Sequence, residues 1–264
     1  MLHYLELQFR GATVQVVVNG LKLVRLDGGT GGTSSRPLDT HLVGEGNDVT
    51  IRIAPDTLDS GEVSTVSDVS LVGTVKTYSQ DGVVAPEEGE VLREFDFDKI
   101  VAERQQELAE EFAPTGMEGN PSPPEVTLPI EHSVTFDNTG ASFRGRLLEG
   151  PTIDSEQRLR DYAEHLRSLV AREQAEALAP EFKPKLDDYS TLHPDSGKDF
   201  VEEFPEFLRE EFFPGRPITG FERSDVGVRS WCEGRIWELF VKPDQPFLKT
   251  KGGDGASNEI PVYV

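Results

Sequence analysis

Catalysis needs a nucleophile with a base, a nest of metal ligands or a cradle for phosphate, and the residues able to supply these are sparse here. Five histidines, His3, His41, His132, His165 and His193, form no His-Glu-x-x-His or closely paired arrangement. Nothing in their spacing builds a transition-metal site. Calcium asks only for oxygen ligands, and the pairs Asp96/Asp98 and Asp187/Asp188 offer them, yet neither sits in an EF-hand-type loop. A solvated acidic surface is the plainer account of both pairs. The one cysteine, Cys232, stands between Trp231 and Glu233. A neighbouring carboxylate raises a thiol's pKa rather than activating it, and the chain has no Gly-x-Ser-x-Gly elbow, so covalent catalysis has no support. The run Gly28-Gly29-Thr30-Gly31-Gly32-Thr33-Ser34 has the glycine density of a phosphate cradle but lacks the lysine and the following helix. It precedes Arg36-Pro37, so it reads as a connecting loop from Gly28 to Ser35, and no motif calls for a cofactor or a metal.

The elements around these residues are β-rich at first. Leu5, Leu7 and Phe9 alternate with Glu6 and Gln8, the period of a half-buried strand over residues 2–9. Thr13 to Val18 and Leu21 to Leu26 flank Asn19-Gly20, the strongest local signal for a hairpin. Then come Leu38, the run His41-Leu42-Val43-Gly44-Glu45-Gly46-Asn47, and the strand pattern Val49-Thr50-Ile51-Arg52-Ile53. This order of hairpin, linker and strand resembles a stretch of the galactose-binding-like jelly-roll β-sandwiches over residues 14–53. The resemblance implies a sandwich. Since Gly and Asn there serve the turn before a core strand, it carries over no binding residue. Further strands are expected at Val69 to Tyr78, Gly89 to Phe97, Thr127 to Phe136 and Ala141 to Leu148, with turns at Gln80-Asp81-Gly82 and Asp137-Asn138-Thr139-Gly140. One helix interrupts them from about Asp98 to Phe112, where Ile100, Val101, Leu108 and Phe112 make an apolar stripe, followed by a Pro/Gly-rich loop over Pro114 to Pro124.

From Ile153 the pattern turns helical. Leu159, Tyr162, Ala163, Leu166, Leu169 and Val170 recur at helical spacing behind a cap at Asp154 or Ser155. A second helical stretch, Ala175 to Tyr189, is split by Pro180 and Pro184. A third runs from Lys198 to Phe213 and divides into two pieces if Pro205 takes the first turn of a helix. Its five phenylalanines suit a core face, and any exposed part becomes a protein-docking surface. Val226 to Trp231, the turn Cys232-Glu233-Gly234, Arg235 to Val241, and an edge strand Glu259 to Val264 end the sequence. Helices followed by a curled antiparallel sheet resemble the cone-shaped NTF2-like fold over residues 153–264. The resemblance implies helices over one mouth of the sheet, lined by the pocket candidates Tyr162, Tyr189, His193, Trp231 and Trp237. His193 with Asp187 or Asp195 is the simplest acid/base pair available there. The same aromatics also serve as ordinary core.

The fold expected is therefore a β-rich two-domain protein. Residues 1–150 form an antiparallel, jelly-roll-like β-sandwich with one inserted helix, and residues 151–264 form an α+β, NTF2-like domain. The charge sets the environment: 26 Lys and Arg stand against 48 Asp and Glu among 264 residues, a net charge of −22. Such a surface repels phosphate backbones and anionic headgroups, so neither nucleic acid nor membrane is the expected partner. The carboxylate excess resembles that of cytoplasmic proteins of salt-accumulating halophiles, where concentrated salt screens the self-repulsion. A single cysteine, no signal-like first segment and no long apolar run place the protein in the cytoplasm. Without catalytic motifs, the reading is a non-enzymatic binding or protein-interaction protein with no cofactor. Two alternatives stay open: a small-molecule carrier or NTF2-like enzyme with a pocket in the C-terminal domain, and a structural component of a larger assembly.

Overall fold

The computed structural model describes residues 1–28, 31–58, 60–79, 89–112, 124–193, 197–242, 245–251, 259–260 and 262–264. The chain packs into two compact units, Met1–Phe143 and Arg144–Val264.

The first unit is two four-stranded antiparallel sheets. Strand β1 (Leu2–Arg10) follows its alternation and turns Leu5, Leu7 and Phe9 inward. Gly11 alone separates it from β2 (Ala12–Val18), which belongs to the other sheet. Asn19 and Gly20 both adopt positive φ, +50° and +79°, the geometry of a two-residue hairpin turn into β3 (Leu21–Leu26). Strands β4 (Gly32–Pro37), β5 (Asn47–Pro55), β6 (Ser70–Tyr78) and β7 (Glu90–Asp96), helix α1 (Phe97–Glu111) and strand β8 (Ile130–Phe136) follow. The first sheet has the order β4-β1-β6-β7 and the second β3-β2-β5-β8. Leu5, Leu7, Leu71 and Val75 from one sheet share a core with Val14, Val16, Ile51 and Ile53 from the other, and Phe97 and Ile100 of α1 join it.

Several expectations for this unit need correction. Gly32–Pro37 is a strand and not part of a loop, because its backbone pairs with β1 from Phe9↔Gly32 to Tyr4↔Pro37. Ladder hydrogen bonds here outweigh the poor strand propensity of Gly and Ser. Strand β8 starts at Ile130 and not Thr127, directly after Pro129, which has no N–H to give a ladder. Ala141 to Leu148 is not a strand: Arg144–Leu147 makes a helical turn, α2, closed by Leu148 N–H donating to the Arg144 carbonyl and burying Leu147. The apolar stripe of α1 is shifted, with Phe97 buried and Phe112 exposed. The turn at Gln80-Asp81-Gly82 and residues 114–123 of the Pro/Gly-rich loop lie outside the described residues.

A buried asparagine ties the loops of the second sheet together. Asn47 is 0 % exposed. Its Nδ2 donates to the Gly44 carbonyl (2.8 Å), the Asn138 Oδ1 (2.9 Å) and the Phe136 carbonyl (3.2 Å). Its Oδ1 accepts from Val43 N (2.8 Å) and Asn19 Nδ2 (3.0 Å). Asn19 also donates to the His41 carbonyl (2.7 Å) and accepts from Asp48 N (2.9 Å). Hairpin turn, strand start and strand end thus meet on one side chain.

The second unit starts with α2 and continues with α3 (Glu156–Ala171), whose cap Ser155 accepts from Arg158 N at 3.4 Å. It buries Leu159, Ala163, Leu166, Leu169 and Val170. Then α4 (Ala175–Leu178), a 3-10 turn (Ala179–Phe182) and α5 (Lys183–Leu192) are divided as the prolines require. Helix α6 (Gly197–Phe207) runs through Pro205, contrary to the expected division there. The irregularity follows it as a π-helical turn, Leu208–Phe212. Phe204, Leu208 and Phe212 all insert into the core, and their burial holds the ridge across the hydrogen bond that Pro205 cannot make. Strand β9 (Val226–Trp231) pairs with β10 (Ile236–Val241), which also pairs with β11 (Gln245–Pro246) and with β14 (Val262–Tyr263). Strands β12 (Leu248–Lys249) and β13 (Glu259–Ile260) form a separate pair. Among the described residues, no helix is long and apolar enough to cross a membrane.

Candidate functional site

Because Leu5 and Leu7 of β1 point into the core, Glu6 and Gln8 must point away from it. Register extends this across the whole first sheet. Ser35, Glu6, Thr74 and Glu94 lie opposite one another on β4, β1, β6 and β7, and one step along lie Thr33, Gln8, Val72 and Asp96. Two cross-strand rows therefore share the outward face, over a shallow groove of about 770 Å³ that they line together with Lys99 of α1.

Part of this face is held in place by its own bonds. Lys76 pairs with Glu6 at 2.8 Å, and the Tyr78 hydroxyl donates to Glu6 at 2.7 Å. Partial burial pushes the Glu6 carboxyl up, but these two hydrogen bonds outweigh it and hold the group below its ordinary range, as a carboxylate. The Tyr4 ring stands edge-on to Tyr78 at 5.7 Å. Asp96 caps α1, accepting from Asp98 N (3.1 Å) and Lys99 N (3.3 Å), which fixes where Lys99 leaves the helix. So Asp96 of the Asp96/Asp98 pair is a helix cap. The remaining groups are uncommitted: the side chains of Gln8, Thr33, Ser35, Thr74, Glu94 and Lys99 have no hydrogen bond or ion pair among the described residues. These side chains are free to donate and accept hydrogen bonds from the sheet floor.

The five residues proposed from sequence lie in the second unit. Tyr189 and His193 come into ring contact, 4.5 Å between centroids, and Phe200 of α6 packs tilted against Tyr189 at 5.0 Å. Tyr162 instead donates its hydroxyl to Glu181 (2.8 Å), which also meets His165 Nε2 at 3.2 Å. Burial and the Glu181 carboxylate push the Tyr162 phenol well above its ordinary range. Trp231 is opposite Ile236 and Trp237 opposite Ser230, so the two indoles occupy opposite faces of the β9/β10 ladder. Trp231 Nε1 donates to Glu238 (3.1 Å), which also accepts from Arg229 (3.2 Å), whereas Trp237 packs on the core and donates to the Gly234 carbonyl (3.1 Å). Asp187 pairs with Lys183 at 2.6 Å, Asp188 pairs with Arg146, and Asp195 lies outside the described residues. The Asp187/Asp188 pair is thus ion-paired rather than merely solvated.

Cys232 is buried in a turn with φ of +49°, and burial pushes its thiol up to about 11, against the influence of Arg235 and Arg146. It stays a thiol at neutral pH. Among the described residues, no three His, Cys, Asp or Glu side chains converge as metal ligands.

The polar rows on the first sheet are what sequence reasoning missed as a site. The outward direction of Glu6 and Gln8 was in the alternation of β1, but their neighbours Thr33 and Ser35 sat in a segment read as loop. Comparison with protein-family models, with curated proteins and with solved structures finds no match for this chain.

Proposed function

We propose that the protein is a non-enzymatic binding protein, with its ligand seated on the outward face of the first sheet. In this reading the N-terminal unit is a jelly-roll-like β-sandwich of the galactose-binding-like kind, and the C-terminal unit an α+β, NTF2-like domain. One observation carries the proposal: uncommitted hydrogen-bonding side chains from four strands and a helix line a single groove, beside a Glu6 carboxylate already paired with Lys76. The net charge of −22 speaks against nucleic acid and anionic membranes as partners.

The test is retention from a metabolite extract at molar KCl, comparing the full chain with a Thr74→Arg variant that fills the groove, with mass-spectrometric readout. A compound retained by the first and lost from the second is the expected result. Equal retention by both, or none by either, overturns the reading.

A second reading, docking of a protein partner, is favoured by the aromatic pair on α5 and α6, where Tyr189 and Phe200 are 38 % and 39 % exposed. Tyr189→Ser would release such a partner and leave the groove untouched.

A further inference from the structure

We infer that the protein associates with a second copy of itself through the outer edge of β4, joining the first sheets of the two copies into one across a two-fold axis. The inference goes beyond the groove and does not depend on it.

The backbone of β4 decides which groups face outward. Leu38 N, just past the strand, donates to the His3 carbonyl at 2.8 Å. Hydrogen-bonded pairs alternate along an antiparallel ladder, so the bonded pairs in step with this one are Leu5↔Arg36, Leu7↔Ser34 and Phe9↔Gly32. Thr33, Ser35 and Pro37 therefore turn their backbone away from β1. Pro37 has no N–H to leave open, whereas Thr33 and Ser35 each present an N–H and a carbonyl. β4 ends its sheet, and Gly32, Thr33, Ser35, Arg36 and Pro37 are exposed.

Open edges are common, and proteins guard them with charge, a bulge or a covering group. Among the described residues, the other three end strands of this unit carry such guards. β3 places Lys22 and Arg25 within six residues, beside a register shift at Val16/Val17. The ladder of β7 shifts at Val75/Lys76, and Arg93 Nε of β7 donates to the Thr135 carbonyl of β8, which ties these two ends together. β4 keeps an unbroken register and carries no charge from Gly32 to Ser35. On a chain of net charge −22, two copies meet little repulsion along such a strand.

One register satisfies this edge symmetrically, which favours a second copy as its occupant. With Ser34 on the two-fold axis, Thr33 exchanges both backbone bonds with Ser35 of the second copy, and Ser35 does the same with its Thr33. Arg36 then lies opposite Gly32 and not opposite a like charge. Ser34 forms the pair without backbone bonds, where side chains stand closest, about 4.5 Å apart at Cα. Its hydroxyl is buried and has no hydrogen-bond partner among the described residues. Across the axis it meets the same hydroxyl of the second copy, and each can donate or accept.

Sedimentation equilibrium of the full chain in molar KCl tests this from about 1 to 500 μM, a range that brackets the affinity of so small an interface. A monomer–dimer equilibrium is expected, and Thr33→Pro and Ser35→Pro should each weaken it by about tenfold or more. Both remove an outward N–H and leave the bonds to β1 in place. Amide hydrogen exchange followed by NMR asks the same question without a substitution. Thr33 and Ser35 should gain protection as concentration rises, while Ser34 and Arg36, already bonded to β1, should not change. A monomer at every concentration overturns the inference. A dimer that both proline variants leave intact, or whose added protection falls outside β4, overturns it as well, because another surface then holds the copies together.

Discussion

Asn47 shows how a single side chain can organise a fold without contributing to any site. Its amide is completely buried and satisfies five backbone or side-chain groups drawn from three loops. Such a network stabilises only modestly when intact, since water would have bonded the same groups, but leaving them buried and unpartnered is expensive. Asn47→Ala strands the Val43 N–H and the Phe136 carbonyl among others. It should cost about 3 kcal/mol. Urea unfolding checks this: the midpoint should fall while the slope stays unchanged. An unaltered midpoint would mean that water enters and replaces the amide. The same side chain explains a motif: glycines 44 and 46 lead into it at φ of +88° and +68°, bending the chain so that Asn47 points inward.

Among the elements, the passage from β1 to β2 carries the greatest constraint, because one residue must move the chain from one sheet to the other. Gly11 does so at φ of +71°, and a Cβ built there would stand 2.2 Å from the Asp68 carbonyl oxygen. Gly46 has a similar φ of +68° but nothing within 4 Å of such a Cβ. The pair separates two effects. Gly46→Ala should cost about 1 kcal/mol, the conformational penalty alone, and Gly11→Ala about 3 kcal/mol or more, since backbone has to shift as well. Equal losses in thermal or urea unfolding would show that the 3-10 turn at Val66–Asp68 yields freely. Sequence periodicity served well at the Asn19-Gly20 turn, the alternation of β1, the Ser155 cap and the helices divided around Pro180 and Pro184, though not at Pro205, which α6 runs through. It failed where a distant partner decided. Gly32–Pro37 is a strand only because β1 lies beside it, and Leu147 is buried by a helical turn although its surroundings read as strand. The groove inherits that difficulty, since Thr33 and Ser35 come to it by a pairing with β1 that no local pattern announces.

At the scale of the molecule, carboxylates outnumber cations by 22, and several of the ion pairs that offset them among the described residues are exposed, such as Arg52–Glu131 and Arg104–Glu107. Exposed pairs contribute little each, so the uncompensated repulsion dominates the response to salt. Shortening the screening length from tens of ångströms in dilute buffer to about 3 Å at molar salt should raise the melting temperature steeply. Scanning calorimetry from low salt to molar KCl measures it, and a flat response would assign the acidic surface to a specific binding role instead. The hairpin at Asn19-Gly20 has a consequence of another kind, in time. Asn-Gly is the dipeptide most prone to chemical ageing, because the glycine nitrogen can attack the asparagine carbonyl and expel ammonia. Here Asn19 is locked by hydrogen bonds at both ends of its amide, so deamidation must wait for the hairpin to open. The slow gain of an Asp or isoaspartate at this position is then a clock that the protein carries within itself, running only while the second sheet is undone.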